Sequence, residues 1–223
     1  MSNLRLPLRR FFVVVALAWL TITQSGCASL FSTILYYVKG GDNIDAEYNG
    51  LQKKKVAIVC VSNSSSTGPS SVPGMLERSV GMLLPQKGKN IKVVPQDEVA
   101  NWIDSNDWNQ LDYREIGRGV HADMVLAIDL ARFSLHDGAT LYRGQADVTV
   151  TVYDMGDNGK VAFRRNLPDF SFPQNGAARH ATEMSEAKFR TLFVEILAQH
   201  VARYFFPYPV QDDFAKDAAL LGM

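Results

Sequence analysis

The stretch KKKVAIVCVSNSSSTGPSSVPGMLERSVGMLL, residues 53–84, contains the pattern that decides the fold class. Residues 56–62 form an apolar run between lysines and a Ser/Gly-rich loop, which is typical of a strand buried on both faces. Residues 72–84 place apolar side chains on one side, with Ser71 as a cap and Pro73 in the first turn, so they predict a helix. The strand, loop and helix together favour parallel pairing through a helical crossover.

The chain beyond this stretch continues with short elements and then a second buried strand. Residues 124–130 (MVLAIDL) are apolar enough to predict a central strand, which runs on to residue 135. Between the two strands we expect one short strand and two helices, at residues 91–94, 95–104 and 111–120. The first half of the domain is therefore predicted to be parallel, with helices packed on the sheet.

The period of the apolar residues changes in the last third of the chain. Residues 147–153 alternate strictly, which indicates a strand with one buried face, and residues 161–172 are predicted to form its antiparallel return. Residues 189–205 carry an apolar stripe of helical spacing, with Thr182 as the expected cap and Pro207 as the stop. The sequence therefore predicts a mixed α/β (α+β) fold. Its five-stranded mixed sheet is parallel in the early half, antiparallel in the late half and packed with three to four helices.

The first 27 residues have the pattern of an export signal. Three arginines precede the apolar run 11–22, and small residues follow it. This run is shorter than the roughly 20 apolar residues that a spanning helix needs. The small residues before Cys27 resemble a bacterial lipobox, although Gln24 stands where that motif has an aliphatic residue. The resemblance implies cleavage before Cys27 and lipid attachment to its thiol, and Ala28 after it implies sorting to the outer membrane.

An uncleaved signal anchor is the alternative, because a second apolar stretch follows at residues 30–38. The lipoprotein interpretation divides the chain into a signal peptide (1–26), a membrane-proximal tether (27–50), one α/β domain (51–206) and a C-terminal tail (207–223). The signal peptide holds three arginines and no acidic residue, so cleavage leaves 20 basic and 23 acidic side chains. The formal charge then changes from zero to −3, which excludes a basic nucleic-acid-binding domain.

The sequence lacks the usual motifs of catalysis and cofactor binding. The loop 62–71 has no Walker-type lysine, no G-x-G-x-x-G or G-x-S-x-G pattern occurs, and the four histidines show no metal-ligand spacing. Cys60 lies inside an apolar run, which favours a buried structural thiol over a nucleophile. We therefore predict no enzymatic activity, no cofactor and no metal.

Two groups of side chains are candidates for binding a partner. Trp102, Trp108 and Tyr113 lie near carboxylates in one aromatic segment, where a role in anchoring the segment to the core competes with a binding role. The second candidate is the face of the alternating strand that we expect to be exposed, which includes Arg143, Thr149 and Thr151.

Three motifs in chain order resemble those of a bacterial envelope superfamily. They are Val93-Val94 with Glu98, VHADM at 120–124, and VTVYD at 150–154 followed by Gly159. In this order, residues 51–206 are similar to the superfamily that contains the TolB amino-terminal domain, the curli secretion lipoprotein CsgG and the penicillin-binding-protein activator LpoB. His121 stands in place of the usual glycine. The resemblance implies a periplasmic assembly or regulatory module without catalysis, whose partners differ between members.

These observations predict a lipid-anchored, periplasmic, non-catalytic module of the bacterial envelope that binds or assembles other proteins. The expected partners are the membrane, through the N-terminal lipid, and envelope proteins. A second copy of the chain is a further candidate, and nucleic acid is not expected. The alternatives are a self-assembling subunit associated with a secretion channel and a nucleotide-binding protein that uses loop 62–71, where doubly wound folds place phosphate.

Overall fold

The computed structural model describes residues 43–62, 70–106, 112–173, 179–180 and 184–209, with 179–180 described by their backbone alone. The predicted signal peptide, Cys27, Trp108, Thr182 and the tail beyond residue 209 lie outside these ranges. None of the helices in the described ranges combines the length and the apolar composition that crossing a membrane requires. The described residues from Ile44 onward belong to one compact unit.

The first half of the described chain contains the predicted strand–helix–strand unit. Its elements are β1 (Asn43–Ile44), β2 (Lys55–Ser62), α1 (Val72–Lys87) and β3 (Lys92–Val93). The Ser71 hydroxyl accepts a hydrogen bond from the Gly74 N–H at 3.3 Å, and Pro73 lies in the first turn, where its missing N–H costs nothing. β3 pairs in parallel with the start of β2, as a helical crossover requires.

The next elements are α2 (Gln96–Ser105), α3 (Tyr113–Gly119) and β4 (Met124–Asp137). β4 pairs in parallel with β2 from the pair Val56 and Met124 to the pair Ser62 and Leu130. β2 ends there, while β4 continues to Asp137. The sheet therefore has a step at the carboxyl end of β2.

The second half of the sheet is antiparallel. β5 (Leu141–Asp154) pairs with β4 on one side and β6 (Lys160–Phe172) on the other, and the short β7 (Arg179–His180) pairs with the start of β5. The main strand order is β3-β2-β4-β5-β6. This order confirms the predicted mixed five-stranded sheet.

The last helix, α4 (Glu186–Ala202), is followed by a 3₁₀ turn at Arg203–Phe205 and by β8 (Tyr208–Pro209). The expected cap at Thr182 was wrong, because the helix begins later. Ser185 is the cap, and its hydroxyl accepts a hydrogen bond from the Lys188 N–H at 3.3 Å. The apolar stripe predicted the helix but not its first residue, since the cap depends on one local hydrogen bond.

Helices cover the two faces of the sheet unequally. α1 and α4 pack on one face of the sheet and form the main core, in which Phe189 and Phe193 are fully buried. α2 and α3 form a smaller second core on the other face, against β2 and β4, which includes Val59, Ile116 and Val125. The side of β5 and β6 that faces away from α4 carries polar side chains instead.

The chain enters the domain at the end of the sheet where β2 begins. β1 pairs with β8, and the Tyr48 N–H donates a hydrogen bond to the Tyr204 carbonyl at 2.9 Å. The Tyr48 ring stacks on Phe163 with centroids 5.3 Å apart, and Leu51 is fully buried. No sequence pattern predicts these contacts of residues 43–50.

Candidate functional site

The aromatic segment contributes to the second core. Trp102 is half-buried against α3, where a side chain at Gly119 would collide with its indole ring. Tyr113 stacks on Tyr153 with centroids 5.4 Å apart, and burial, followed by the charge of Asp129, raises the pKa of Tyr113. Trp102 and Tyr113 therefore lie together on the face opposite α1 and α4, in contact with the core. Their role in binding a partner stays a prediction.

The face of β5 that was expected to be exposed is only partly so. Arg143 and Thr149 are half-buried, but Thr151 is 5% exposed, so its predicted exposure was wrong. β5 lies between β4 and β6, and the Arg164 Nε of β6 donates a hydrogen bond to the Thr151 hydroxyl at 3.4 Å. The alternating pattern identified the correct face but not the long neighbouring side chain that covers it.

The same sheet carries an ion-pair cluster beyond the last residue pair of β2 and β4, which no sequence pattern predicted. The Arg132 guanidinium is 2.9 Å from an Asp147 carboxylate oxygen and 2.6 Å from one of Asp169. The Asp169 N–H also donates to Asp147 at 2.7 Å, and this bond, together with Arg132, lowers the pKa of Asp147. Asp169 has a φ of 51°, beside a register shift between β5 and β6. The cluster therefore stabilises a β-bulge and also holds its three charged side chains in place.

A groove of about 930 Å³ opens at the step where β2 ends and β4 continues. Its walls are the first turns of α1 and α4, and its floor is formed by residues 130–136 of β4. The lining residues are Ser62, Ser70, Ser71, Val72, the β4 residues from Leu130 to His136, Glu186 and Arg190. A cleft of this size is in the range of ligand and peptide sites.

The charged side chains of the groove are held by neighbours. Glu186 lies 2.5 Å from Arg190 and 3.9 Å from His136. The His136 ring in turn packs edge-on against Tyr142, with centroids 5.3 Å apart. Arg132 faces the groove while its guanidinium is bound to the acidic cluster described above. These ion pairs order the walls, and the lining contains two guanidinium groups and one carboxylate.

The loop considered for nucleotide binding borders this groove. Ser62, Ser70 and Ser71 are lining residues, whereas residues 63–69 lie outside the described ranges. The Ser71 hydroxyl already caps α1. In the described ranges, no three His, Cys, Asp or Glu side chains form a group that could hold a metal ion. Serine side chains, backbone groups of β4 and two arginine side chains therefore line the groove.

Cys60 and Glu77 lie next to each other between β2 and α1. Burial, then the charges of Glu77 and Asp129, raises the pKa of the Cys60 thiol, so the nucleophilic thiolate is disfavoured. Burial also raises the pKa of Glu77 to about 7, although Gln96 and the Cys60 N–H donate hydrogen bonds to its carboxylate. Cys60 is half-buried rather than fully buried as expected, while its raised pKa agrees with the expectation that the thiol is not a nucleophile.

Comparison with protein-family models and with curated proteins finds no match. Among solved structures, the chain is similar to the PelC dodecamer from Paraburkholderia phytofirmans, with 13% identity and a TM-score of 0.43 over 74% of this chain and 96% of that one. It is similar to lipoprotein GNA1162 from Neisseria meningitidis, with 14% identity and a TM-score of 0.42 over 66% and 96%. It is also similar to the LpoB C-terminal domain from Salmonella enterica, with 10% identity and a TM-score of 0.36 over 52% and 82%. At these TM-scores the similarities assign no activity, partner or oligomeric state to this chain.

Proposed function

We propose that the chain is a lipid-anchored, non-catalytic module of the bacterial envelope that binds other envelope proteins on the periplasmic side. The observation that carries the proposal is the position of the groove relative to the point where the chain enters the domain. Tyr48 enters beside the ends of α1 and α4, whereas the groove lies between their first turns. An anchor upstream of residue 43 would therefore connect to the domain through the end opposite the groove.

The side chains of the groove suit binding better than catalysis. The ring of His136, the one imidazole among the lining residues, contacts Glu186 and Tyr142, whereas the hydroxyl of Ser134 bonds to the His136 backbone. The guanidinium groups of Arg132 and Arg190 are oriented by carboxylates, which lowers the entropy lost when a partner binds. The site therefore resembles a preorganised recognition surface.

The anchor is tested by metabolic labelling with a lipid precursor in a bacterial host. We expect a labelled product from the wild-type chain and no label on the Cys27→Ala variant, while Cys60→Ala, the matched cysteine control, keeps the label. An uncleaved, unlabelled wild-type chain would show that the N-terminal segment acts as a signal anchor instead.

Partner binding is tested by photocrosslinking in intact envelopes. A photoreactive amino acid at Ser70, on the groove, should give a discrete adduct with another envelope protein. The same group at Glu195, which is exposed on α4 outside the lining, is the control and should give none. Equal adducts from both positions, or none from either position or from a scan of the uncovered β5–β6 face, would contradict a protein-binding module.

Self-assembly is the second candidate function, and one observation favours it. Among the described residues, no strand pairs with the outer edge of β6, which is 13 residues long. An open edge of this length is a template for strand pairing, although Arg164 and Arg165 discourage it. Light scattering of the full chain in detergent distinguishes the two functions, because a monomer at micromolar concentration would contradict self-assembly and leave the protein-binding proposal intact.

A further inference from the structure

In the described part of the chain, the segment of β4 that extends past β2 has a backbone edge without a strand neighbour inside the groove. β4 continues for seven residues past its last pair with β2, from Ala131 to Asp137. On the other side, β5 pairs with this stretch as far as Leu141. In the part of the chain that the structure describes, no strand takes the place of β2 beside these residues. One side of the stretch is therefore a strand edge, in line with the end of β2.

The groove follows this edge for most of its length. Seven residues of a strand rise about 3.3 Å each and span roughly 23 Å. Six of the seven, from Ala131 to His136, line the groove, and Ser62 marks its lower end. The pairing of this stretch with β5 shifts register between Leu130 and Arg132 and between Ser134 and His136, and the His136 N–H donates a hydrogen bond to the Ser134 hydroxyl at 3.4 Å. An extended backbone can pair with the remaining edge N–H and C=O groups, which is the basis of recognition by strand addition.

The charged side chains of the lining favour one class of peptide. The lining contains the guanidinium groups of Arg132 and Arg190 and the single carboxylate of Glu186. The carboxylates that bind Arg132, those of Asp147 and Asp169, are not part of the lining. An acidic side chain on the peptide therefore complements the groove better than a basic one.

We propose that the groove binds an extended acidic peptide segment of a partner protein, which adds to the edge of β4 at residues 131–137 as a continuation of the β2 row. This inference rests on the proposed protein-binding function and specifies its site and the chemistry of its partner. Backbone pairing supplies the affinity, and Arg190 selects the acidic side chain.

The first test uses ten-residue peptides selected from a random phage-displayed library against the full chain in detergent. We expect the selected peptides to be enriched in Asp and Glu and to bind with micromolar Kd by fluorescence polarisation. Arg190→Glu should weaken binding at least tenfold. Lys188→Glu, the same charge change on the exposed side of α4 outside the lining, should alter Kd less than threefold. Equal effects of the two variants, or no enriched peptide, would overturn the inference.

The second test leaves the protein unchanged, so it stands even if Arg190→Glu does not fold. Methylation of the backbone nitrogens at alternate positions of a selected peptide removes the N–H donors on one side of a strand. Methylation at either the odd-numbered or the even-numbered positions should abolish binding, and methylation at the other set should leave binding largely unchanged. Identical Kd values for both sets would exclude pairing with the β4 edge.

Two outcomes separate this inference from the proposed function. A wild-type dimer that Arg190→Glu dissociates would show that a second copy occupies the groove, which overturns the partner-peptide inference. An adduct from the uncovered β5–β6 face but none from Ser70, together with failed peptide selection, would retain a protein-binding module and reject the β4 edge as its site.

Discussion

The carboxylate of Glu77 in α1 accepts a hydrogen bond from the backbone N–H of Cys60 in β2. β3 pairs with β2 only at Lys55 and Val56, so the outer edge of β2 at Cys60 has no strand neighbour in the described part of the chain. Glu77 thus satisfies a backbone donor that a longer β3 would have bound. A carboxylate in this place stabilises the strand edge, but its own burial penalises the charged form.

This arrangement predicts a stability that falls as the pH rises through the range from about 4.5 to about 7. The pKa of Glu77 is raised from 4.5 to about 7 in the folded chain by burial, so in this range the folded state holds a proton that the unfolded state has lost. Glu77→Gln removes this titration and keeps a side-chain acceptor. We expect the variant to gain about 1–3 kcal/mol relative to the wild-type chain between pH 5 and pH 8.

Urea unfolding at several pH values measures this gain. Glu195→Gln, at an exposed position of α4, is the control and should change stability by less than about 0.5 kcal/mol at every pH. A difference between Glu77→Gln and wild type that is constant from pH 5 to pH 8 would show that Glu77 does not titrate in this range.

A second prediction concerns the close approach of Gly144 in β5 to Phe193 in α4. A Cβ at Gly144 would lie 2.4 Å from the ring of Phe193, which is fully buried and cannot move aside freely. Gly144→Ala should therefore destabilise the domain by about 1–3 kcal/mol in urea unfolding. Gly81→Ala is the matched control, because its Cβ would meet Ile58 at 3.6 Å, an ordinary contact, in the middle of α1.

The control should act in the opposite direction. Alanine restricts the unfolded chain more than glycine does, so Gly81→Ala is expected to stabilise the domain by about 0.5–1 kcal/mol. Destabilisation of similar size in both variants would mean that backbone restriction, rather than the Phe193 ring, determines the effect at Gly144.

The sequence predicted the main elements because each has a periodic pattern of several residues. β2, β4, β5, β6 and α4 were all anticipated, since continuous, alternating and helical apolar patterns differ from one another over such lengths. β1 and β8 were missed for the opposite reason. Strands of two residues have no period, and they form only because distant parts of the chain meet.

The binding surfaces were harder to predict because they depend on register and on strand length. The burial of Thr151 follows from its pairing opposite Arg164, which no local pattern encodes. The groove exists because β4 extends past the end of β2. The ends of strands are the element boundaries that a sequence predicts least well. The Pro168-Asp169 pair was the one local signal for the ion-pair cluster, since proline within a strand indicates an edge or a bulge.

A third prediction tests the contact of the entry segment with the domain. Tyr48 stacks on Phe163, meets Phe205 edge-on with centroids 6.4 Å apart, and donates its N–H to Tyr204. Tyr48→Ala removes the ring contacts and keeps the backbone bond. We expect a loss of about 1–3 kcal/mol in urea unfolding, because a partly buried aromatic side chain and its stacking partners are lost. Hydrogen exchange at the backbone amide of residue 48 should also be faster in the variant than in the wild-type chain.

Arg165→Ala is the control for the same segment. It breaks the ion pair with Glu47, whose nearest atoms are 3.3 Å apart, and both side chains are largely exposed to solvent. An exposed pair of this kind contributes less than about 1 kcal/mol, and salt weakens it further. The ring contacts of Tyr48, rather than the charge pair, should therefore account for most of the attachment. An Arg165→Ala variant that loses as much stability as Tyr48→Ala would show that the charge pair holds the entry segment.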